Sequence, residues 1–425
     1  MSSKQLRIVI AGAGLGGLTA AVRFARDGHD VEVLERSSAL STASGAIYIR
    51  SNAVRSFYRW GLREGFESVA THIQNYQFRN GFNNDELSRV KPQFFSEYPE
   101  LATDRGALQN FLFNVATEAG ARVSFGKEVS ELTEDDSHAY ITCKDGTKIT
   151  ADLLLAADGI SSRLRPAVLS HCEPEAPAPI PAPSTHYPAE LPLDSLLAND
   201  VTKFMVNEPD SRDSVLFACQ GGYIVGNYNH ARRLFNIMFS IQHKDADNSN
   251  PRLFDEVGDP KIVQDFFAPC HPILGALAGM TKECSRWRLA RLEPLKRWSS
   301  ARRRLVLLGD SAHAMLPNLA QGFSSIVEDV DALSVFLESG REMSDLIELW
   351  EKTRMPRTAQ LQNGSLDNYK LLNKGMAPGD ELTEEQKSLP MGDGDGNAPF
   401  NSLPWLKWNL NYDAAEEVSQ LMIAS

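Results

Sequence analysis

The chain has 425 residues and lacks several features that would define its class at once. No stretch reaches the roughly 18 consecutive apolar residues of a membrane span. The N-terminus has no charged, apolar and small-residue sequence of the kind that signal peptidase cleaves. We therefore expect a soluble, cytoplasmic protein without an integral membrane segment.

The chain also has no excess of positive charge. The chain carries 43 Lys and Arg against 55 Asp and Glu, a net charge of −12. Proteins that bind nucleic acid need a positive field for the phosphate backbone. The charge balance therefore predicts small-molecule partners and no nucleic acid.

Cysteine is rare, and no two cysteines have the Cys-x-x-Cys spacing of a zinc or redox motif. We expect five reduced thiols: Cys143, Cys172, Cys219, Cys270 and Cys284. The chain also lacks the His-Glu-x-x-His motif and the Ser/His/Asp order of common hydrolases.

One acidic segment, residues 393–397 (DGDGN), superficially resembles a calcium loop. A calcium loop needs glycine at its sixth position and a bidentate glutamate at its twelfth. Here those positions hold Ala398 and Pro404. The sequence therefore predicts no metal site.

Glycine, in contrast, is plentiful, with 29 residues that include an N-terminal cluster. Residues 6–11 (LRIVIA) predict a buried parallel strand, and residues 18–27 predict a helix. Between them, Gly12 permits a tight turn, Gly14 lets a pyrophosphate approach the backbone, and Gly17 lets helix and strand pack closely.

A second predicted strand, residues 30–34, ends at Glu35. A carboxylate at that position can accept hydrogen bonds from the ribose of adenosine. Strand, glycines, helix, second strand and acid occur in the order of a dinucleotide-binding unit. The motif by itself does not separate NAD from FAD.

Two later segments bear on that choice. Residues 151–165 predict a strand that ends at Asp158, followed by a polar helix start. Residues 304–331 predict a strand that ends at Asp310, a loop with Pro317, and a helix beginning near Gly322. Asp310 is placed to accept hydrogen bonds from sugar or ribitol hydroxyls, whereas Asp158 either caps a helix or touches the cofactor.

With these segments the sequence resembles the single-component flavoprotein monooxygenases typified by salicylate hydroxylase and p-hydroxybenzoate hydroxylase. The similar pieces run through most of the chain in family order: GAGLGG (12–17), Glu35-Arg36, Gly45-Ala46-Ile47 to Asn52, Asp104-Arg105, ADG (157–159), GDSAHAMLP (309–317) and WNLNYD (408–413).

The resemblance implies FAD as the cofactor. It implies that Glu35 holds the adenosine ribose, Arg105 approaches the cofactor, Asp310 holds the ribitol, and Pro317 and Gly322 lie beside the isoalloxazine ring. The predicted FAD-binding set also includes Gly12, Gly14, Gly17, Arg36, Gly45, Ala46, Asp158 and Phe323.

The resemblance further implies the reaction. NAD(P)H reduces the flavin, oxygen adds at C4a, and the resulting hydroperoxide transfers its distal oxygen to an electron-rich carbon of a small aromatic or polycyclic metabolite, by hydroxylation or epoxidation. No second glycine fingerprint marks a nicotinamide domain, and the resemblance implies transient nicotinamide binding without one.

The fold implied is an α/β fold: a Rossmann-type FAD-binding domain, a second domain with a mixed β-sheet for substrate, and C-terminal helices. We assign residues 1–75, 101–170 and 285–370 to a discontinuous FAD-binding domain. Residues 76–100 and 171–284 form the substrate domain, and residues 371–425 a C-terminal tail. After the helix that begins near Gly322 we predict two more helices, at 344–353 and 359–372, and within the tail a surface loop at 375–403.

The substrate domain opens with seven prolines in residues 171–194. Proline cannot donate to a ladder and disrupts helices, so we predict an extended crossover that is neither helix nor central strand. Strands are predicted at residues 215–219, 223–228 and 234–241.

Tyr228 is the predicted catalytic residue. It lies on a predicted strand where the salicylate hydroxylase branch often has an active-site tyrosine; the alternative is a half-buried strand aromatic. Some members of the family that the chain resembles carry an arginine in this crossover that assists substrate binding, but residues 166–211 contain none. This departure disfavours an anionic carboxylate substrate, although Arg232 or Arg233 could compensate. His186 and Tyr187 are the nearest polar candidates in that segment.

Two other residues carry alternatives. Phe323 either narrows the space beside the flavin or packs its helix. His313 is predicted to make structural hydrogen bonds in its loop instead of acting as a base or flavin anchor. Two alternative functions remain open: a flavin oxidase or dehydrogenase on the same fold, and a non-catalytic protein that reuses it.

Overall fold

The computed structural model describes residues 5–40, 45–173, 175–206, 212–229, 232–243, 252–255, 257–375, 377 and 402–424. Within these ranges no helix is both long and apolar enough to cross a membrane. The calcium-like segment at 393–397 and nearly all of the predicted loop at 375–403 lie outside the described residues.

The strands are β1 (Arg7–Ala11), β2 (Asp30–Glu35), β3 (Ala46–Ile49), β4 (Ala70–His72), β5 (Tyr76–Asn80), β6 (Glu86–Val90), β7 (Leu101–Asp104), β8 (Arg122–Phe125), β9 (Val129–Glu134), β10 (Ala139–Cys143), β11 (Lys148–Ala151), β12 (Leu153–Ala156), β13 (Ile180–Pro192), β14 (Ser214–Cys219), β15 (Gly222–Asn229), β16 (Leu234–Gln242), β17 (Phe254–Asp255), β18 (Arg286–Arg291) and β19 (Leu305–Leu307).

The helices are α1 (Leu15–Arg26), α2 (Ser51–Arg59), α3 (Arg63–Val69), α4 (Arg105–Glu118), α5 (Arg165–Leu169), α6 (Leu193–Leu197), α7 (Pro260–Phe267), α8 (Pro272–Met280), α9 (Asp310–His313), α10 (Gly322–Leu337), α11 (Met343–Lys374), α12 (Leu403–Leu410) and α13 (Ala414–Ala424).

The first sheet contains five parallel strands in the order β19-β12-β1-β2-β8. Strand β1 lies at its centre, and four of its five residues are buried, as expected for an apolar strand covered on both faces. Parallel strands end at the same edge of a sheet, so the residues after β1, β12 and β19 meet there. The Leu308 N–H, for example, donates to the Ala156 carbonyl at 3.0 Å.

The second sheet contains eight strands in the order β17-β18-β13-β16-β15-β14-β5-β6. It is mixed, because β14 pairs with β5 in parallel and the other pairs are antiparallel. The three strands predicted between residues 215 and 241 are confirmed as β14, β15 and β16. Two three-stranded sheets, β11-β10-β9 and β3-β7-β4, complete the fold.

The prediction for the proline-rich segment is wrong, because β13 is an interior strand between β18 and β16. The Pro188 carbonyl accepts the Ser285 N–H at 3.1 Å, on the side away from β16. The nitrogen of a residue faces the same side as its carbonyl, so the missing N–H costs nothing in the β16 ladder. The ladder with β18 is itself irregular between Pro181 and Thr185.

The prediction of two helices after α10 is also wrong, since α11 runs unbroken through Pro356. An interior proline removes a helical hydrogen bond. On either side of it, however, Arg354 and Arg357 bind the same carboxylate, Glu328 of α10, at 2.6 and 2.7 Å. We infer that this shared partner holds the two halves of α11 in one line.

These residues form what we call the buried ionic network: Glu328, Asp329, Arg354 and Arg357, each at most 4% exposed. Asp329 accepts from Arg354 Nε at 2.8 Å. Burial by itself would raise the pKa of Glu328, but the two arginines outweigh it and hold that pKa below its ordinary value. The carboxylate is therefore charged and fully paired.

The network extends to both ends of the chain. The Asn52 side-chain amide of α2 donates to Glu328 at 2.6 Å. Arg357 donates to the Asn409 carbonyl of α12 at 3.0 Å and lies 3.7 Å from the Tyr412 ring centroid. Ala414 and Val418 of α13 belong to the same apolar core as the first sheet. The last part of the chain thus packs on the first sheet's side of the molecule.

The division into two domains remains a prediction. The strands of the first sheet come from three separated parts of the chain: residues 7–35, 122–156 and 305–307. Those of the second come from residues 76–90, 180–242 and 254–291. For brevity we call the parts around them the first and second domains.

Replacing Arg354 with leucine should lower the free energy of unfolding by about 3–5 kcal/mol, because it leaves buried carboxylate charge incompletely compensated. Urea denaturation followed by tryptophan fluorescence measures the change. Lys352→Leu in the same helix removes an exposed ion pair with Glu348 and should cost less than about 1 kcal/mol. Equal losses for the two variants would contradict the structural importance of the network.

Candidate active site

The glycine turn after β1 leaves no room for other residues at two positions. Gly12 has φ +113°, and a Cβ there would lie 2.6 Å from the Ala157 carbonyl oxygen. A Cβ on Gly17 would lie 1.9 Å from the Gly12 carbonyl oxygen. At Gly14, the N-cap of α1, a Cβ would meet nothing within 4 Å. The turn is therefore closed towards the sheet and open at the start of α1, where a ligand phosphate can be bound.

Glu35 lies across from this turn, at the end of β2. Its Oε2 accepts the Ala13 N–H at 2.8 Å, and its Oε1 accepts the Ser37 N–H at 2.8 Å. The next residue, Arg36, is exposed. The structure thus brings Glu35 to the glycine turn, as the sequence motif predicts.

The loop after β19 and the glycine turn both pack against one side chain, Ile326 of α10. Gly309 has φ +67°, and a Cβ there would lie 2.8 Å from Ile326 Cδ1 in α10. A Cβ on Gly16 would lie 3.4 Å from the same side chain. Ile326 therefore packs against both loops and fixes their separation.

Asp310 begins α9 and is exposed. Arg105, at the start of α4, lies near it. Burial lowers the pKa of Arg105, and the negative charges of Asp310 and Asp104 partly offset that effect. The Arg105 guanidinium also lies 5.6 Å from the Trp287 ring centroid in the second sheet. Two predicted FAD-binding residues, Arg105 and Asp310, are thus brought together at the interface.

Gly45 and Ala46 lie in the same region. The Gly45 N–H donates to Asp104 Oδ2 at 3.3 Å, and its carbonyl accepts the Arg105 N–H at 2.9 Å. Ala46 pairs in register with Asp104. A Cβ on Gly45 would lie 3.6 Å from Pro188, so this segment also touches the second sheet.

The segment from Pro317 to Phe323 leads into α10. Pro317 is exposed and starts a short 3-10 turn. Gly322 is the first residue of α10, where an added Cβ would meet nothing within 4 Å. Phe323 is buried and stacks on Phe57, with ring centroids 6.2 Å apart. Of its two interpretations the structure favours helix packing, so Phe323 could contact a cofactor only through its backbone.

Asp158 and His313 have structural partners. Asp158 accepts the Ser162 hydroxyl at 2.6 Å and the Arg163 N–H at 2.8 Å, so it stabilises the turn before α5. It does not cap a helix, since the N-cap of α5 is Leu164. His313 Nε2 lies 2.6 Å from Asp329 Oδ2 in the buried ionic network. These contacts support the predicted structural role of His313 in the loop that carries Asp310.

One face of the second sheet meets the first domain, and we call it the interdomain face. The Tyr223 hydroxyl accepts from Asn318 Nδ2 at 2.9 Å and lies 3.1 Å from His186 Nε2. The hydroxyls of Ser214 and Tyr48 are 2.8 Å apart. Side chains alternate along strands, so the face includes His186, Pro188, Ser214, Tyr223, Asn227, Asn236 and Met238.

Tyr228 lies on the opposite face, within the second apolar core. Its hydroxyl donates to the Met205 carbonyl, and its ring centroid is 5.0 Å from that of Phe235. This geometry does not support the predicted catalytic role. Neighbouring residues of a strand point to opposite faces of the sheet, so the preceding residue, Asn227, lies on the interdomain face. Counting in steps of two from Tyr223 would have identified Asn227 from the sequence.

The polar and basic residues considered for substrate binding lie in different places in the structure. Tyr187 lies in the second core, whereas His186 lies on the interdomain face. Arg232 pairs with Glu190 at 3.0 Å, and Arg233 pairs with Asp194. Among the described residues no cluster of three His, Cys, Asp or Glu side chains could hold a metal.

Burial lowers the pKa of His186 to about 3. An unfolded histidine has a pKa near 6.5, so between these values the unfolded chain binds a proton that the folded protein excludes. Stability should therefore fall as the pH drops, by about 1.4 kcal/mol per unit below pH 6.5 from this group. Urea unfolding of wild type and His186→Gln between pH 7 and pH 5 measures it. The exposed His171→Gln is the control, and a wild-type slope equal to that of His186→Gln would refute the assignment.

Comparison with known proteins bears directly on this geometry. The sequence model of the family described as "FAD binding domain" matches residues 5–365. Asperlicin C monooxygenase of Petromyces alliaceus is 28% identical over 389 residues, covering 86% of this chain and 80% of that protein. The 6-hydroxynicotinate 3-monooxygenase of Bordetella bronchiseptica is 28% identical over 368 residues, covering 85% and 91%.

Solved structures confirm the predicted fold. CtdE in complex with FAD and substrate superposes with a TM-score of 0.81 at 20% identity, covering 99% of this chain and 100% of that one. A salicylate hydroxylase substrate complex gives a TM-score of 0.76 at 20% identity, covering 98% and 97%. The family match confirms FAD as the predicted cofactor. By its family, and by the reaction class that its curated relatives share, the chain belongs with the FAD-dependent monooxygenases.

Proposed function

We propose that the protein uses NAD(P)H and dioxygen to hydroxylate or epoxidise a small aromatic or polycyclic metabolite. The observation that supports this most is the convergence of the glycine turn and the Asp310 loop on Ile326, with the interdomain face of the second sheet opposite them. A cofactor held by the two loops would lie between the domains. Its reactive ring would then face a surface that includes the polar side chains of Tyr223, Asn227 and Asn236.

The residues present fit FAD. The glycine turn is closed towards the sheet but open at Gly14, which suits a diphosphate at the start of α1. We assign Glu35 to the adenosine ribose, Arg105 and Asp310 to the middle of the cofactor, and the segment from Pro317 through Gly322 to the ring. The other predicted contacts, at Gly12, Gly17, Arg36, Gly45, Ala46, Asp158 and the backbone of Phe323, belong to the same proposal.

When bound, the flavin supplies the chemistry that the side chains lack: it accepts hydride from the nicotinamide and activates dioxygen for transfer to carbon. The chain's part is binding, orientation and exclusion of water. The N-terminus of α10 offers unpaired N–H groups, whose positive end favours negative charge on a bound ring. The buried ionic network fixes the position of that helix.

The relatives support the substrate class. Their names specify asperlicin C, 6-hydroxynicotinate, 3-hydroxybenzoate and hispidin as the compounds on which those proteins act. We extend only the common class, aromatic and polycyclic compounds, to this chain. The cytoplasmic location and the absence of a nucleic-acid partner remain predictions from the sequence.

Asp310→Ala should weaken FAD binding by about 10- to 100-fold, because it removes a charged acceptor for a cofactor hydroxyl, an interaction of about 1.5–3 kcal/mol. Titration of apoprotein with FAD, followed by quenching of flavin fluorescence, measures the affinity. Asp345→Ala, an exposed acid at the start of α11, should leave the affinity unchanged. Wild-type affinity in Asp310→Ala would refute the role assigned to this carboxylate.

The reaction itself is tested with purified holoprotein and labelled dioxygen. Aromatic compounds that accelerate NADPH or NADH oxidation should yield a product containing one labelled oxygen atom, while hydrogen peroxide is measured in parallel to detect uncoupled turnover. A product without label would show the alternative, a flavin oxidase or dehydrogenase. A protein that does not bind FAD would favour the non-catalytic alternative.

A further inference from the structure

Two asparagines on the interdomain face have side-chain atoms without partners. Asn227 of β15 and Asn236 of β16 lie directly opposite each other, and each is 2% exposed. Within the part of the chain that the structure describes, Asn227 Oδ1 and both Oδ1 and Nδ2 of Asn236 have no hydrogen-bond partner. Leaving a buried polar group unpaired costs about 1–3 kcal/mol. A ligand that pairs these atoms would therefore recover substantial free energy.

Their neighbours in the same row of the sheet already have partners. Ser214, opposite Asn227 on β14, shares a hydrogen bond with Tyr48. Glu190, opposite Asn236 on β13, accepts from Arg232 at 3.0 and 3.2 Å. The unpaired atoms are thus confined to the two asparagines in the middle of this row. They form a small amide patch with a polar neighbour on each side.

The patch lies in the second domain, whereas the residues assigned to FAD lie in the first. Gly12 follows β1, Glu35 ends β2, and Asp310 comes shortly after β19. We assign these residues to the diphosphate and sugar parts of the cofactor. A substrate bound by the second sheet would lie against a cofactor bound by the first domain, where the two can react. The amide patch is therefore suited to bind substrate.

The patch also limits the substrate's chemistry. Amide groups offer acceptors and donors without net charge, here two unpaired oxygens and one unpaired nitrogen. The nearby cations have acidic partners: Arg232 pairs with Glu190, and Arg50 pairs with Glu100 at 3.0 Å. A carboxylate would find no unpaired counter-ion in these two arginines. A ring that carries both N–H and C=O groups would satisfy both kinds of atom.

We propose that Asn227 and Asn236 are specificity-determining residues that bind a neutral aromatic or polycyclic substrate through ring N–H and C=O groups, as in a lactam. The proposal rests on the proposed function, since it names the substrate class of that same site. The two amides take no part in proton or electron transfer. They orient the ring so that one carbon faces the cofactor, and they select against carboxylates and against N-alkylated rings.

The first experiment compares three ligands with the holoprotein: quinolin-2(1H)-one, its N-methyl derivative and 2-naphthoate. Binding is followed by the perturbation of the flavin absorbance, and turnover by the acceleration of NADPH oxidation. The lactam should bind about tenfold more tightly than the N-methyl derivative, since one hydrogen bond is lost, and more tightly than the carboxylate. Equal affinities, tighter binding of 2-naphthoate, or no binding of the lactam would overturn the proposal.

The second experiment uses Asn227→Leu and Asn236→Leu, which keep the approximate size of the side chain and remove its polar atoms. Each should weaken lactam binding about tenfold and remove the preference over the N-methyl derivative, while the variant protein still binds FAD. Ile224→Val, on the opposite face of β15, is the matched control for altered packing. Retained lactam preference in both asparagine variants would refute the proposal.

Two outcomes separate this inference from the proposed function. Loss of FAD in the asparagine variants, with the Ile224→Val control intact, would show that the amides bind cofactor and would overturn the inference alone. A wild-type protein that binds FAD and incorporates labelled oxygen into substrates without N–H groups as efficiently as into lactams would also overturn only the inference. A wild-type protein that incorporates no labelled oxygen into any product would overturn the proposed function.

Discussion

The structure depends most on the pairing of Glu328 and Asp329 with Arg354 and Arg357 in the core beside the first sheet. Each of these charges is buried, so each requires its partners in place. Because the partners come from α10 and α11, and further contacts from Asn52 and Asn409, one cluster joins segments from both ends of the chain. It also explains why α11 continues through Pro356, where the proline would otherwise favour a break.

The same network positions the candidate active site. It lies within α10, the helix whose first residue is Gly322 and whose Ile326 packs against both the glycine turn and the Asp310 loop. Through Asp329 it also holds His313, the last residue of α9, the short helix that Asp310 begins. The polar groups assigned to the cofactor are therefore set by a rigid, charged core, which is a physical requirement for orienting a ring within an enzyme.

The two faces of the second sheet have different surroundings: one packs against an apolar core, and the other meets the first domain. Tyr228 and Phe235 lie in the core; Tyr223, Asn227 and Asn236 lie on the interdomain face. The alternation has period two, so one position decides whether a side chain serves packing or recognition. Family resemblance suggested Tyr228, whose side chain lies in the core; the pairing with β16 and the contact of Tyr223 with Asn318 show which side chains of β15 face the first domain.

The cofactor-binding fold could be predicted from the sequence alone, because its signals are local. Gly12 and Gly17 are required by close backbone contacts, and Glu35 and Asp310 are found at or just after the ends of predicted strands. Four other features depend on partners distant in sequence and became visible only in the folded structure. They are the interior position of β13 despite its prolines, the unbroken α11, the buried side chain of Phe323 and the face of the sheet on which Tyr228 lies. Local sequence propensity cannot predict these features. Each depends on the strand, helix or charged side chain that packs against the segment, and those partners come together only when the chain folds.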